Sequence, residues 1–279
     1  MLEPRHTRRL TEIAAPGDSK RGPSGLCSDD LWVSALELIK RSRSIAIVSG
    51  FYVMSANAPE TDGPTGSVSL ARSLLRLGYD VAVWVDSRCE GCFLSCAEVL
   101  GFPADRVIDV SRDMDGTEYP DALIYIERIG RASDGAYYDM RGNDISSVTS
   151  PLDGFALSGK SRVLGIGDGG NEVGMGNYRD ELAAIMDGYE RCLCSVGADI
   201  CIPVDVSNWG AYALSAALSI DAGKWVTHSA SEETAMLDAL RSSGAVDGVT
   251  KKPGMSVDGF GLEKHLEICG ELLELFNSA

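Results

Sequence analysis

The chain has 279 residues, 44% of them hydrophobic and 24% charged, with a formal net charge of −16. That length can bury a sizeable core and favours one large α/β unit over two small ones. The acidic surplus argues against nucleic acid or an anionic membrane as partner, and the most apolar run, 211–220, is broken by Ser215 and Ser219 and cannot span a bilayer.

Residues 1–27 read as a disordered arm, because Arg5, Arg8, Arg9, Lys20 and Arg21 outnumber Glu3, Glu12 and Asp18 and no apolar periodicity is present. The arm has no hydrophobic h-region, and its acids count against a transit peptide, so the cytoplasm is the expected compartment. Residues 28–279 are expected to form a single α/β domain. Ser28 caps a predicted helix through Arg41, followed by a strand at Ser44–Ser49 and a loop from Gly50 to Pro64. A helix over Thr65–Leu77, a strand over Tyr79–Val85, a helix near Gly91–Leu100 and a short strand at Arg106–Val110 come next. Asp121–Ile126 reads as a strand and 127–160 as a long irregular segment. After a strand at 162–166 and a helix over Tyr178–Tyr189, the pattern gives a strand at Asp199–Val204 and a helix at Asn208–Ile220. A strand at Trp225–Thr227 and helices over Ser231–Ser242 and Gly259–Phe276 complete the chain. Such alternation predicts a mostly parallel sheet with helices on both faces. Cys89, Cys92 and Cys96 fall on one face of a helix and read as core, since no fourth ligand lies at metal-binding spacing.

The densest signal is Gly165-Ile-Gly-Asp-Gly-Gly-Asn-Glu-Val-Gly-Met-Gly-Asn177, with six glycines in thirteen residues between a strand and a helix. A glycine-rich turn at the carboxyl end of a strand is where open α/β sheets place ligands. Gly165, Gly167 and Gly170 satisfy the dinucleotide fingerprint, yet Asp168 and Glu172 would repel a pyrophosphate, so no nucleotide cofactor is expected. Two carboxylates on a rigid loop suit Mg²⁺, Mn²⁺ or a substrate amine; the plainer alternative is a turn whose acids cap the next helix. Glu60 and Asp62 lie two apart between Pro59 and Pro64, which points both carboxylates one way in an extended stretch. The stretch from Ile126 to Gly142 holds Arg128, Arg131, Arg141, Tyr137 and Tyr138, a set suited to gripping a carboxylate or phosphate, or else a surface loop of weak ion pairs. Ser207-Asn-Trp-Gly210 opens a helix, where Asn208 is either a cap or a ligand contact. Only His6, His228 and His265 supply imidazole, and neither a G-x-S-x-G elbow nor a P-loop occurs, which leaves carboxylates, arginines and tyrosines to carry the chemistry.

These segments together resemble the D-glutamate cyclase C-terminal domain: Glu60-Thr-Asp-Gly-Pro64, Ile126-Glu-Arg, Gly130-Arg131, Asp134-Gly135, Tyr137-Tyr138, Met140-Arg-Gly142, the 166–176 glycine loop, Ser207-Asn-Trp-Gly210, Val246-Asp-Gly-Val249 and Val257-Asp-Gly259. The resemblance covers about residues 30–276; larger members carry a further N-terminal domain not seen in this sequence. It implies a lyase that closes D-glutamate to 5-oxo-D-proline with loss of water. On that reading Glu60, Asp62, Asp168 and Glu172 form an acidic pole that holds Mg²⁺ or Mn²⁺, with one of them acting as base. Arg128, Arg131 or Arg141 would grip the α-carboxylate, while Tyr137, Tyr138, Asn171, Asn208, Gly169 and Gly170 would contact substrate. The expected partner is a small amino acid, and a homo-oligomer is expected on general grounds. Two other classes stay open: a divalent-metal-dependent phosphatase or hydrolase of a small phosphate ester, and a non-catalytic amino-acid binding protein.

Overall fold

The computed structural model describes residues 2–114 and 116–279. In chain order the elements are α1 (Pro4–Ala14), α2 (Asp30–Lys40), β1 (Ser44–Ser49), β2 (Tyr52–Val53), β3 (Ala58–Pro59), α3 (Pro64–Arg76), β4 (Asp80–Val85), α4 (Glu90–Leu100) and β5 (Val107–Asp109). They continue as β6 (Ala122–Ile126), α5 (Gly154–Leu157), β7 (Arg162–Gly167), α6 (Arg179–Ile185), β8 (Ile200–Pro203), α7 (Ser207–Ala222), α8 (Ala230–Ser242), β9 (Ser256–Val257), β10 (Phe260–Gly261) and α9 (Leu262–Asn277). Six strands form one parallel sheet in the order β5-β4-β1-β6-β7-β8. The chain therefore winds outward from β1 through β4 to β5, then returns to β6 on the other flank of β1. That reversal leaves a crevice at the carboxyl ends of β1 and β6, the place where doubly wound sheets bind ligands.

Period-2 alternation sorts each strand between two cores. Ile45 and Ile47 of β1 join the larger cluster, into which α1, α2, α3, α4, α7, α8 and α9 pack, whereas Ala46 and Val48 face the smaller one with Phe155 of α5 and Leu182 of α6. Every strand of the large sheet matches its expected position to within about a turn. Cys92 and Cys96 are buried on α4 as expected, and all eight cysteines are free thiols.

Three expectations are corrected. The first 27 residues are not a disordered arm: α1 starts with Pro4 at its first turn and buries His6, Thr7, Leu10, Ile13 and Ala14 against the helices of the larger core. Two of those five positions are polar, which hides the stripe from an apolar periodicity. Trp225–Thr227 is not a strand. It links the left-handed C-cap of α7 at Gly223 to the Ser229–Glu232 capping box of α8, and the backbone N–H of Val226 goes to Ser219 Oγ rather than to a ladder. The helix after the glycine loop is shorter than expected and ends at Ile185. Among the described residues no helix is long and apolar enough to cross a membrane.

Candidate functional site

Four separate turns converge on the crevice. Glu60 and Asp62 sit in the turn from β3 to α3, Glu127 directly follows β6, Asp168 and Glu172 follow β7, and Asp258 lies in the turn between β9 and β10. Glu60, Asp62, Glu127, Asp168 and Glu172 are all buried. All of these carboxylates except Asp62 line a cleft of about 230 Å³, together with Arg21, Arg141, Lys251, Asn171 and Gly169. Tyr189 and Val249 stand exposed at its mouth.

Local backbone explains why these acids hold their places. Beyond β7 the loop curls so that Glu172 folds back on it: Oε1 accepts the N–H of Gly169 and Oε2 that of Gly170, both at 2.8 Å. A Cβ at Gly169 would come within 2.8 Å of Glu172 Oε1, so the cradle needs glycine there. Asp62 caps α7: it accepts from the backbone N–H of Ser207 and Asn208 at 2.9 Å each, where a helix N-terminus favours an anion. Asn208 answers from α7, its Oδ1 accepting from Gly63 and Gly66 and so clasping the start of α3. Glu127 adopts a left-handed backbone with φ of 46° and accepts from Ser207 Oγ at 2.7 Å.

So many acids taken from water cannot all ionise freely. Burial pushes the carboxyls of Glu60, Glu127 and Asp168 well up, and the neighbouring carboxylates add to it, with Asp258 foremost for Glu60 and Glu172 for Glu127. Asp62 is pushed up to about 7 by burial and by Asp258, in spite of its two helix N–H donors. The opposing charge comes from Arg21, whose guanidinium reaches Asp168 Oδ1 at 3.1 Å and Asp258 Oδ2 at 2.6 Å. Burial alone would lower that group, but Asp168 and Asp258 outweigh it and hold it charged.

The donor set suits a hard divalent cation. Ligand oxygens of Glu127, Asp168 and Glu172 lie within 4.8 Å of one another, as do those of Asp62, Asp168 and Asp258. Asp168 belongs to both groups, and its buried Oδ2 has no hydrogen-bond partner among the described residues. A buried carboxylate oxygen without a donor is costly unless a cation or proton meets it.

Of the residues singled out in the sequence, Glu60, Asp168, Gly169, Asn171, Glu172 and Arg141 line the cleft, Asp62 lies behind it, and Gly170 holds Glu172. The others stand outside. Arg128 is buried and committed to Gly50 O, Asp86 and Ser150 O. Arg131 pairs with Asp153, to which Tyr137 also donates, and Tyr138 donates to Asp134. With its amide oxygen committed to α3, Asn208 is likewise scaffold. The guanidinium and phenol groups expected to grip a substrate therefore brace the 127–153 segment, Arg141 excepted. Arg21, Glu127, Lys251 and Asp258 also line the cleft, although the sequence does not single them out. Glu127 and Asp258 stood inside the recognised motifs as isolated acids, and Arg21 lay in the stretch read as disordered.

The profile of the family described as "D-glutamate cyclase-like, C-terminal" matches residues 10–273. The human protein "D-glutamate cyclase, mitochondrial" is 34% identical over 219 residues, 70% of this chain but only 35% of that relative's length. Among solved structures, an exopolyphosphatase-related protein from Bacteroides fragilis superposes with a TM-score of 0.45 and 13% identity over 89% of this chain and 57% of that one, a likeness too slight to argue from. The chain belongs to the D-glutamate cyclase-like C-terminal family.

Proposed function

We propose that the chain is a lyase of D-glutamate cyclase type, closing D-glutamate to 5-oxo-D-proline and water with the help of Mg²⁺ or Mn²⁺. The observation that carries this reading is the buried acidic centre around Asp168, opening on a small cleft whose rim holds Arg141 and Lys251. Glutamate offers an ammonium and two carboxylates to such a surface: acids within, cations at the edge. Arg141 and Lys251 would take the α-carboxylate, and the pocket size would hold the chain folded so that nitrogen and Cδ meet.

In the reaction the N–Cδ bond forms and one Cδ–O bond breaks. The ammonium loses two protons in becoming an amide N–H, and the departing oxygen gains two to leave as water. Glu60 is the proposed carrier. It lines the cleft, stands outside both cation-ligand groups, and burial raises its carboxyl above the ordinary carboxylate range, so that it holds a proton more readily than an exposed glutamate does. It would take each proton from nitrogen and hand it to the departing oxygen. A cation held by Glu127, Asp168 and Glu172 would offset the charge of the γ-carboxylate, which otherwise repels a nucleophile. Glu172, fixed by two backbone N–H groups, would keep that corner rigid.

The test is chiral detection of 5-oxoproline from D- or L-glutamate, with Mg²⁺, Mn²⁺ or a chelator. Product from D-glutamate that disappears with the chelator supports the whole reading. Product that survives chelation removes the cation and keeps the reaction, and no product under any condition overturns the cyclase assignment.

A further inference from the structure

The two carboxylate groups that meet at Asp168 are not equally open. Arg21 lies on the one made by Asp62, Asp168 and Asp258, donating through one terminal nitrogen to Asp168 Oδ1 and through the other to Asp258 Oδ2 and the carbonyl of Asp205. Apart from Arg21 at the shared Asp168, no side-chain cation pairs with Glu127 or Glu172 among the described residues, and Asp168 Oδ2 is left without a hydrogen-bond partner while Oδ1 takes Arg21. Nor does Arg21 arrive by chance. The carboxylate of Asp205 grips the approaching backbone, Oδ2 accepting the N–H of Asp18 at 2.6 Å and Oδ1 the hydroxyl of Ser19 at 2.8 Å. Lys20, between these anchors and Arg21, takes a left-handed backbone with φ of 57°. Ordering this strap costs entropy and strain that an incidental surface pair would not offset.

We infer that Arg21 is a built-in cation filling one half of a divided acidic centre, so that the protein takes up a single divalent ion, in the Glu127–Asp168–Glu172 half. Arg21 is thus a positioning residue: it turns Asp168 so that one oxygen faces the ion, and it denies the Asp258 half to a second. The inference rests on the cation reading of the site proposed above.

Counting Mn²⁺ on the purified full chain by titration calorimetry, with electron paramagnetic resonance of free Mn²⁺ as a cross-check, decides it. Wild type and Arg21→Lys should bind one ion, whereas Arg21→Gln should bind two, the second at least tenfold weaker. Asp258→Asn added to Arg21→Gln should remove only the second. Thermal melting guards against misfolding: Arg21→Gln should melt lower than wild type without Mn²⁺ and recover with it. One ion in both wild type and Arg21→Gln overturns this inference while leaving the cation reading intact. Two ions in wild type do the same. No ion in either overturns both, and none in wild type with one in Arg21→Gln overturns the division by making Arg21 a plug for the whole centre.

Discussion

Two parts of the molecule bury carboxylates completely and reach opposite results. Between α3, α7, α8 and α9, Glu233 is 0% exposed, yet its Oε2 accepts from the Tyr212 hydroxyl at 2.8 Å and lies 3.2 Å from His228 Nε2. His228 Nδ1 in turn meets Ser69 Oγ at 2.6 Å. Burial pushes Glu233 up, but the hydrogen bond and charge of His228 with the Tyr212 bond outweigh it and leave the carboxyl below its usual range. In the cleft the same burial raises Glu60, Glu127 and Asp168, neighbouring carboxylates add to it, and the Arg21 guanidinium on Asp168 does not outweigh the two. Among the described residues each region leaves a fully buried carboxylate oxygen without a hydrogen-bond partner, Glu233 Oε1 in one and Asp168 Oδ2 in the other. The difference is company. A carboxylate given donors one by one is a structural joint, and carboxylates gathered around a single arginine are a standing demand for positive charge.

Substitutions at the two centres should separate activity from stability. Asp168→Asn is expected to lower turnover of D-glutamate by roughly 10²–10³-fold, while melting within about 5 °C of wild type; a comparable loss of stability would turn Asp168 into a second Glu233. His228→Ala should do the reverse. By stranding Glu233 it costs about 3 kcal/mol in urea unfolding, with kcat per folded molecule unchanged; a fall in kcat would join the two regions into one working unit. Arg141→Ala at the cleft rim should raise KM for D-glutamate about tenfold with little change in kcat, as lost ground-state and transition-state binding alike.

The smallest effect is a matter of pH. A buried carboxyl whose pKa rises on folding stabilises the fold below its unfolded value, and that contribution disappears as pH climbs through the folded one. For Asp62 the window runs from the ordinary 3.8 to about 7. Without divalent ions, the centre should therefore weaken the fold as pH rises across that range. Saturating Mn²⁺ should raise the melting temperature more at pH 8 than at pH 5, by about 2–4 °C for each kcal/mol gained. Equal shifts at both pH values would mean that the acids are not protonated in exchange for the ion.

The sheet was legible because buried parallel strands announce themselves as short apolar runs between turn residues, as in Ser44–Ser49 and Asp121–Ile126. The acids of the glycine loop and of the 59–64 turn were legible because Gly and Pro restrict the backbone around them. Glu127 and Asp258 were not, since nothing in a lone acid beside a strand or in a Val-Asp-Gly turn tells which way its side chain faces. Arg128 and Arg131 looked like substrate ligands for a related reason: sequence order gives the side chain, while only the fold gives Asp86 and Asp153 as their partners. The N-terminal strap was hardest. Its helix hides two polar positions in the buried stripe, and Arg21 acts 147 residues away from the carboxylate it meets.

Among the described residues five non-glycine positions have positive φ, and three of them, Glu127, Lys251 and Asp258, line the cleft. Each of those backbones would rest more easily on glycine, by about 1–3 kcal/mol where the strain is not otherwise relieved. A selection for heat resistance alone would drift toward Glu127→Gly and Asp258→Gly, and so toward a sturdier but inert protein. The ledger of thermostabilising glycines, read backward, would be a map of what the cleft is for.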